Sequence, residues 1–441
     1  MLNSVFMIFF FFFVYVLDYY RVKYLNMKQH IFIINEKNLA SSYGVGTYIN
    51  EYIKCLRRFD LEIHLVTLFC DEELYNLYEN EFVDYINIPT TILKNTKYYH
   101  QSVCAIIKLY YAKIEKPLFH LNFHQNIFFV KYIKDYFNDA IILYTIHYSC
   151  WSLQLNSDVN LFKSILSKYN SNGNLSELEH RVILEFEKEK ELFNKVDRII
   201  CLSNETYEIL KSEYLISPTK INLIPNGIED SYTPLLGNQK NIIRKYFHIK
   251  KKEKIILFVG RLTALKGAYI LLDSFKKISP YHTNYRLFII GDGDFNLLLN
   301  QAEPYWDRIT FTGKIDKEKL NQLYKIADIG IIPSYCEQCS YVCLEMMMNA
   351  IPCIVSDGIG LNSIFKNNIN SIVAKIVDYQ NPDSYILNLE KSILDMINNA
   401  SKKDNISKKS RLTYLEKFTL DHMFENYKKL FLTFNIRVKE W

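Results

Sequence analysis

Short apolar runs alternate with segments of helical periodicity along most of the chain, and this alternation constrains the fold most strongly. Apolar runs that are each followed by a helical segment are typical of parallel sheets covered by helices on both faces. The clearest helical segment is 177–195, which is rich in Glu, Lys and Leu, whereas Ser and Asn clusters at 152–176 predict a surface excursion. The predicted strands lie at 31–34, 63–68, 118–123, 141–146, 198–202, 221–224, 255–259, 286–290, 309–311, 329–332 and 353–355.

The length of the chain, 441 residues, exceeds the usual size of one hydrophobic core. A polar stretch at 230–250 lacks an apolar period and is interpreted as a domain linker. We therefore predict an α/β protein with two doubly wound, Rossmann-like domains that face each other across a cleft. The N-terminal domain is predicted over 28–235 and the C-terminal domain over 236–415. A C-terminal helix at 416–441 is predicted to pack back across both.

The first 27 residues form a separate apolar segment that allows three interpretations. Its apolar run at 5–17 is short for a membrane span, which needs about 20 residues. The run has the length of a signal-peptide core, but no basic residue precedes it and no small-residue cleavage site follows. Basic residues after the run would keep the following chain in the cytoplasm, as in an anchor. Translation starting at Met27 is the remaining interpretation.

The composition excludes some classes of function. The formal net charge of +5 is spread along the chain, which fits contact with phosphates or an anionic membrane surface but not a nucleic-acid-binding protein. Nine cysteines, an odd number, lie mostly in apolar or mixed runs, which is typical of buried thiols in a reducing compartment. We therefore expect a cytoplasmic protein, and peripheral contact with the inner face of a membrane stays open.

Two basic residues follow the first predicted strand of the second half. Gly260 and Arg261 come directly after the strand 255–259, and Lys266 stands just before the next helix. In a doubly wound sheet this loop lies at the carboxyl end, where ligands bind. A guanidinium can grip phosphate oxygens with two hydrogen bonds, and an ammonium adds a point charge. The plain alternative is a solvated Arg and Lys on a surface loop.

Two glutamates frame the loop that follows the strand at 329–332. Glu337 lies in this loop and Glu345 in the helix that the loop enters. The start of such a helix can bind phosphate through free N–H groups, and carboxylates can accept hydrogen bonds from ribose or sugar hydroxyls. The alternative is two surface glutamates, one of which caps the helix.

Together these motifs resemble the retaining GT-B glycosyltransferases of family 4. The matching segments, which follow one another in the family's order around the Glu337/Glu345 pair, are 258–267, 287–294, 309–313, 326–334 and 350–357. The resemblance covers residues 196–430 well and 28–150 loosely. It implies the GT-B fold and a metal-independent glycosyltransferase of the hexosyltransferase type, with a nucleotide-sugar donor as substrate and no cofactor.

The resemblance also implies roles for individual residues in the second half. Arg261 and Lys266, beside Gly260, would bind the donor diphosphate, Glu345 would hold the ribose, and Glu337 would lie against the donor sugar. The backbone at Ser340, Tyr341 and Val342 would hold the distal phosphate. Ser340 departs from the family, which usually has glycine there, so its side chain could narrow the phosphate pocket.

Two candidate donor residues lie in the first half. The loop 44–47, which begins with Gly44, resembles a family loop that approaches the donor, although an ordinary strand-to-helix turn fits equally well. His147 follows the strand 141–146 and matches a histidine that the family often places near the donor sugar. The alternative is that His147 has a structural role, as an isolated histidine usually does. His120 and His124, near the end of another strand, are weaker candidates for contact with the donor sugar. The segment 223–228 resembles a family segment that leads to the linker, with a structural role.

Two other patterns suggest metal sites but fit other interpretations better. Asp292 and Asp294 form an Asp-x-Asp pair, yet the surrounding segment matches the metal-free family loop. Cys336, Cys339 and Cys343 lack a second ligand pair at zinc spacing and are interpreted as buried or near-site thiols.

We therefore predict a retaining glycosyltransferase of glycan, polysaccharide or glycoconjugate synthesis, with Glu337, Arg261, Lys266 and His147 as its catalytic set. The acceptor could be a lipid-linked saccharide, a polysaccharide or a peptide. The alternatives are a non-catalytic protein with the same fold and a nucleotide-sugar epimerase.

Overall fold

The computed structural model describes residues 28–37, 44–71, 76–79, 82–89, 96–123 and 127–439. The apolar N-terminal segment with Met27, together with His124, lies outside these ranges. Within them, none of the helices combines the length and the apolar composition that crossing a membrane requires.

Eight strands form the first sheet in the order β3-β4-β2-β1-β5-β6-β7-β8. β3 pairs antiparallel with β4, whereas β4, β2, β1, β5 and β6 pair in parallel. Their bounds are β1 Gln29–Glu36, β2 Leu61–Cys70, β3 Asn76–Glu79, β4 Asp84–Pro89, β5 Leu118–Leu121, β6 Ile141–Ile146, β7 Arg198–Cys201 and β8 Ile221–Leu223.

Six strands form the second sheet in the order β11-β10-β9-β12-β13-β14, and every neighbouring pair is parallel. The earliest strand, β9, lies in the middle, and later strands extend to both sides of it, which defines a doubly wound sheet with its switch point between β9 and β12. Their bounds are β9 Lys254–Val259, β10 Tyr285–Ile290, β11 Ile309–Gly313, β12 Ile329–Ile332, β13 Cys353–Ser356 and β14 Ile372–Ala374.

Helices connect most of the consecutive strands in both sheets. In chain order they are α1 Gly44–Leu56, α2 Thr96–Tyr110, α3 Ile127–Tyr136, α4 Cys150–Gln154, α5 Val159–Asn170, α6 Glu177–Lys195, α7 Asn204–Ser212, α8 Gln239–Tyr246, α9 Ala268–Ile278, α10 Phe295–Gln301, α11 Lys317–Ile326, α12 Tyr341–Met348, α13 Leu361–Ile364, α14 Asp383–Asn398, α15 Ala400–Lys417 and α16 Leu420–Leu432.

The described chain divides into two compact units. The first contains the residues up to Thr145, Lys188–Ile200 and the residues from Tyr427 onward, and the second contains Ile146–Glu187 and Cys201–Asn426. In the second unit, the central strands bury their apolar side chains completely against α9 and α14, as Ile256, Ile289 and Ile331 show. Burying one such side chain contributes about 1.5–3 kcal/mol, so these strand runs stabilise the packing of α9 and α14 on the sheet.

The predicted α/β fold with two doubly wound sheets is confirmed, and a strand lies at each of the eleven predicted positions. The periodicity did not predict β3, β4 or β14, which are short or lie near a sheet edge. The domain bounds at 235 and 415 stay a prediction.

Part of the predicted surface excursion at 152–176 is a helix with a buried face, which the sequence pattern did not indicate. The segment contains α5, whose Phe162 and Ile165 are buried. Asp158 caps this helix by accepting hydrogen bonds from the backbone N–H groups of Asn160 and Leu161, each at 3.0 Å. Asp158 is thus a helix-start signal inside a segment that is otherwise rich in Ser and Asn. The predicted linker at 230–250 likewise contains α8.

Buried polar groups form a hydrogen-bonded chain inside the first unit. The Tyr48 hydroxyl lies 2.5 Å from the Tyr427 hydroxyl and 3.2 Å from Thr145 Oγ1, and His120 Nε2 lies 2.7 Å from the same Oγ1. All four side chains are buried. A buried polar group costs free energy unless it is hydrogen-bonded, so this chain ties α16 to α1, β5 and β6. His120 therefore has the structural role.

His100 on α2 is a buried histidine in a different environment. It is only 3% exposed, its ring stacks on Phe129 with 4.5 Å between centroids, and neither ring nitrogen has a hydrogen-bond partner among the described residues. Burial lowers the pKa of His100 from its ordinary 6.5 to about 4, so the ring is neutral in the folded protein near pH 7.

We predict that His100 makes the first unit acid-sensitive. As the pH falls below 6.5, the unfolded chain binds a proton that the folded chain does not bind until about pH 4, so stability falls with pH across that window. Between about pH 7 and about pH 4.5, the free energy of unfolding should fall by roughly 2–3 kcal/mol from this group. In His100→Phe, which stacks but cannot ionise, urea unfolding at the two pH values should show a loss that is smaller by this amount. His180→Phe, a change at an exposed histidine, should keep the wild-type pH dependence, and an unchanged dependence in His100→Phe would contradict the prediction.

Candidate active site

The loops after β9 and β10 are held together by close backbone contacts. Gly260 N donates to Ile290 O at 2.9 Å, and Leu262 N donates to Asp292 O at 2.7 Å. A Cβ atom at Gly291 would lie 1.8 Å from Gly260 O, so only glycine allows this approach. These contacts fix Gly260, and with it Arg261, at the carboxyl end of the sheet.

The loop after β9 also lies directly on the loop after β12. Gly267 has a φ of +69°, and a Cβ atom there would lie 2.0 Å from Pro333 O. Tyr335 N donates to Leu265 O at 2.9 Å across the same contact. Because β9 and β12 are the two strands at the switch point of the sheet, this contact lies where ligands bind in doubly wound folds.

This contact brings Lys266 and Glu337 together. Lys266 Nζ lies 2.6 Å from Glu337 Oε1, and Ser334 Oγ donates to the same oxygen at 2.9 Å. The Lys266 side chain is 22% exposed and the Glu337 side chain 10% exposed, so the pair is largely shielded from water. Glu337 Oε2 has no hydrogen-bond partner within the described ranges. An ammonium has three protons, so Lys266 can still donate to a further anion.

Residues 337–340, which we term the donor turn, lead into α12. Ser340 occupies the N-cap position, but its side chain makes no capping hydrogen bond to the helix. In the part of the chain that the structure describes, the backbone N–H groups of Ser340 and Val342 have no hydrogen-bond acceptor. Free N–H groups and the helix dipole make such a terminus attractive to an anion.

Glu345 lies inside α12 and is 8% exposed. The hydroxyl of Tyr324, on α11, donates to Glu345 Oε2 at 2.8 Å. Burial and the nearby carboxylate raise the pKa of Tyr324, so its hydroxyl stays protonated and keeps donating. This hydrogen bond holds one carboxylate oxygen of Glu345 in place.

The other predicted residues have different surroundings. Arg261 is exposed, and its guanidinium makes no hydrogen bond or ion pair with a described residue, so this group is available to a ligand. His147 directly follows β6 and is half-buried, and its packing lowers its pKa to about 3, so the ring is neutral. Gly44 belongs to the first unit, where it is the first residue of α1. The predicted loop 44–47 is therefore the first turn of a helix.

The two patterns that suggested metals have other contacts here. Asp294 Oδ2 accepts a hydrogen bond from the Tyr269 hydroxyl at 3.3 Å. Cys336, Cys339 and Cys343 are free thiols, and burial raises the pKa of Cys339 to about 12, which keeps it protonated. No group of three or more potential metal ligands occurs in the described ranges.

Several residues of the site could not be identified from the sequence. Ser334 donates a hydrogen bond to Glu337, and Tyr324 donates one to Glu345. Asn226 donates to the Cys339 carbonyl in the donor turn, and Gln338, which belongs to the turn, accepts from Thr206. Ser334 ends one of the family-like segments, which is a weak signal. Asn226 lies in the family-like segment 223–228, which was assigned only a structural role, and Gln338 lies in the loop that contains Glu337. No sequence pattern marks Tyr324, and the contacts of all three arise only in the folded chain.

Comparison with known proteins agrees with these observations. The sequence model described as Glycosyltransferase Family 4 matches residues 43–232, and the one described as Glycosyl transferases group 1 matches residues 239–413.

Individual relatives match part of the chain. An uncharacterized glycosyltransferase of Methanocaldococcus jannaschii is 32% identical over 235 residues, 49% of this chain and 59% of that protein. UDP-Gal:alpha-D-GlcNAc-diphosphoundecaprenol alpha-1,3-galactosyltransferase of Escherichia coli is 27% identical over 217 residues, 47% of this chain and 54% of that protein. The match with these relatives therefore spans less than two thirds of their length.

A solved structure shares the fold over nearly the whole chain. Sucrose-phosphate synthase from Thermosynechococcus elongatus superposes with a TM-score of 0.71 at 18% identity, over 92% of this chain and 99% of that one. At this identity the likeness concerns the fold alone.

We predict that Gly267→Ala disrupts the contact between the loops after β9 and β12. The new methyl group would overlap Pro333 O and would also force alanine into a left-handed conformation, so the free energy of unfolding should fall by more than about 3 kcal/mol. Gly237→Ala is the matched control, because Gly237 has a φ of +56° but nothing within 4 Å of its Cβ position. Its cost should be about 1 kcal/mol, from the backbone conformation alone. Equal losses for the two variants in urea unfolding would show that the close approach does not matter.

Proposed function

Because the chain belongs to the group 1 glycosyltransferases of family 4 and has the GT-B fold, we propose that it transfers a sugar from a nucleotide-diphosphate sugar to an acceptor with retention of anomeric configuration. The observation that carries this proposal is the Lys266–Glu337 contact of 2.6 Å. It lies at the switch point of the second sheet, close in sequence to Ser340 and Val342, whose backbone N–H groups have no acceptor among the described residues.

The charges of this site suit a diphosphate leaving group. Arg261 and Lys266 would neutralise its developing negative charge, and the N–H groups of Ser340 and Val342 would bind the distal phosphate. These groups stabilise the charge that increases as the glycosidic bond breaks, which is the role that a metal ion has in other transferases. We therefore propose metal-independent transfer.

The two glutamates have separate roles in this proposal. Glu345, held by Tyr324, would accept hydrogen bonds from the ribose hydroxyls. Glu337 would orient the donor sugar and stabilise positive charge near its anomeric carbon. The acceptor hydroxyl would attack from the face that the diphosphate leaves, and a phosphate oxygen would take its proton. His147, neutral and half-buried, would donate or accept a hydrogen bond at the sugar.

The substrates are proposed by class. The Escherichia coli relative uses a UDP-linked hexose and an acceptor on a lipid diphosphate, so we propose a UDP-hexose donor and a lipid-linked saccharide acceptor. With such an acceptor, the protein would work at the cytoplasmic face of a membrane through peripheral contact. A polysaccharide or peptide acceptor would not need that contact.

A panel of nucleotide sugars separates this proposal from its rivals. Thermal shift finds the donor, because a ligand that binds only the folded state raises the unfolding temperature. Release of nucleoside diphosphate that depends on an added acceptor supports the transferase. Binding without turnover would support a non-catalytic protein, and conversion of the nucleotide sugar without an acceptor would support an epimerase.

We predict that Arg261→Ala and Lys266→Gln each lower kcat about 10²-fold, because each removes a group that stabilises the leaving diphosphate. The measurement is turnover with the donor found in the panel, together with a check that the unfolding temperature stays near that of the wild type. Lys277→Ala is the control, because Lys277 is half exposed on α9 and its nearest carboxylate, on Glu390, is 3.9 Å away. Turnover near the wild-type rate in both site variants would exclude the assignment.

A further inference from the structure

The donor turn is held from outside its own sheet. Its residue Gln338 is 8% exposed, and the side-chain oxygen accepts a hydrogen bond from Thr206 Oγ1 at 2.5 Å. Ser203 Oγ lies 3.5 Å from the same oxygen and also caps α7 by accepting from Thr206 N at 3.3 Å. Both hydroxyl residues are more than nine-tenths buried, so this contact is shielded from water. The hydroxyl groups at the start of α7 therefore hold the side-chain amide of Gln338 in place.

A second side chain contacts the donor turn at Cys339, the residue after Gln338. Asn226, which follows β8 and is 4% exposed, donates from Nδ2 to the Cys339 carbonyl oxygen at 2.6 Å. The peptide that joins Cys339 to Ser340 is a rigid planar group, in which the C=O and N–H bonds point in opposite directions. Fixing this carbonyl therefore also fixes the direction of the Ser340 N–H, which has no acceptor among the described residues.

The backbone of residues 359–360 packs closely against the opposite side of the donor turn. Glu337 N donates to Ile359 O at 2.9 Å. At Gly360, a Cβ atom would lie 1.7 Å from Glu337 O and 2.8 Å from Gln338 O. The turn thus lies between the 359–360 backbone on one side and the side chains of Asn226 and Thr206 on the other. Asn226 and Thr206 are therefore the side chains that hold this side of the turn.

We propose that Asn226 and Gln338 are positioning residues for the donor. They aim the Ser340 N–H at the distal phosphate of a nucleoside diphosphate, while the nucleoside and the first phosphate are bound by other groups. This inference rests on the proposed donor site. It assigns the segment 203–226 a part in donor binding, although that segment contributes no group to the diphosphate itself.

The test compares a nucleoside diphosphate with the matching monophosphate, because only the diphosphate has the distal phosphate. The probes are UDP and UMP, or the corresponding GDP or ADP pair if one of those gives the larger thermal shift with the wild type. The variants are Asn226→Asp, which sets a carboxylate oxygen against the Cys339 carbonyl, and Gln338→Leu, which removes the amide and keeps the bulk. Affinities are measured by titration calorimetry.

We expect each variant to bind the diphosphate about tenfold more weakly, which is the effect of misdirecting one hydrogen bond to a charged group. Affinity for the monophosphate should change by less than about twofold. If Asn226→Asp does not fold, the Gln338→Leu result decides. Equal weakening of both probes would indicate a structural role and overturn the proposal, as would wild-type affinity for the diphosphate.

Asn370→Asp is the matched control in the same unit. Asn370 is 2% exposed, and its Nδ2 donates to the Ile364 carbonyl at 3.1 Å, away from the donor turn. The same substitution should lower the unfolding temperature but leave both affinities unchanged. If the wild type binds no nucleoside diphosphate, the proposed function is excluded. If the wild type binds it and the variants bind it equally well, only the positioning role of Asn226 and Gln338 is excluded.

Discussion

The ion pair between Lys266 and Glu337 depends on an approach of two backbones that a side chain would prevent. Gly267 lies against the carbonyl of Pro333, and this contact sets the loop after β9 on the loop after β12. These strands are neighbours at the point where the sheet changes direction, so their carboxyl ends open a crevice. Without the contact, the ammonium and the carboxylate would be two separate surface charges of little energetic consequence.

Some polar groups around this contact have hydrogen-bond partners, and others have none among the described residues. Lys266 already neutralises one oxygen of Glu337, and Ser334 shares that oxygen. The exposed guanidinium of Arg261 has no partner among the described residues, and neither do the backbone N–H groups of Ser340 and Val342. Such a site can receive an anion without first breaking the ion pair. The supporting contacts, from Tyr324 to Glu345 and from Asn226 to Cys339, hold the surrounding groups in fixed directions before a ligand arrives.

Much of the fold could be predicted from local patterns. The apolar runs predicted strands in both sheets, because strands buried on both faces need side chains that are apolar at nearly every position. The strands that were missed, β3, β4 and β14, are short or near a sheet edge, where one face can be polar. The helix α5 was not predicted, because the Ser and Asn clusters of 152–176 are residue types that also favour turns.

For the candidate site, the sequence by itself determined which loops carry charge and where they fall relative to the strands. It therefore indicated Arg261, Lys266, Glu337 and Glu345, and the resemblance to family 4 rested on the same segments. The tertiary structure alone decided which of these side chains meet and what supports them. Lys266 and Glu337 are 71 positions apart, and Asn226 reaches Cys339 across 113. Periodicity reports only the environment of neighbouring residues, whereas such contacts depend on how loops from different strands pack, and no local pattern encodes that packing.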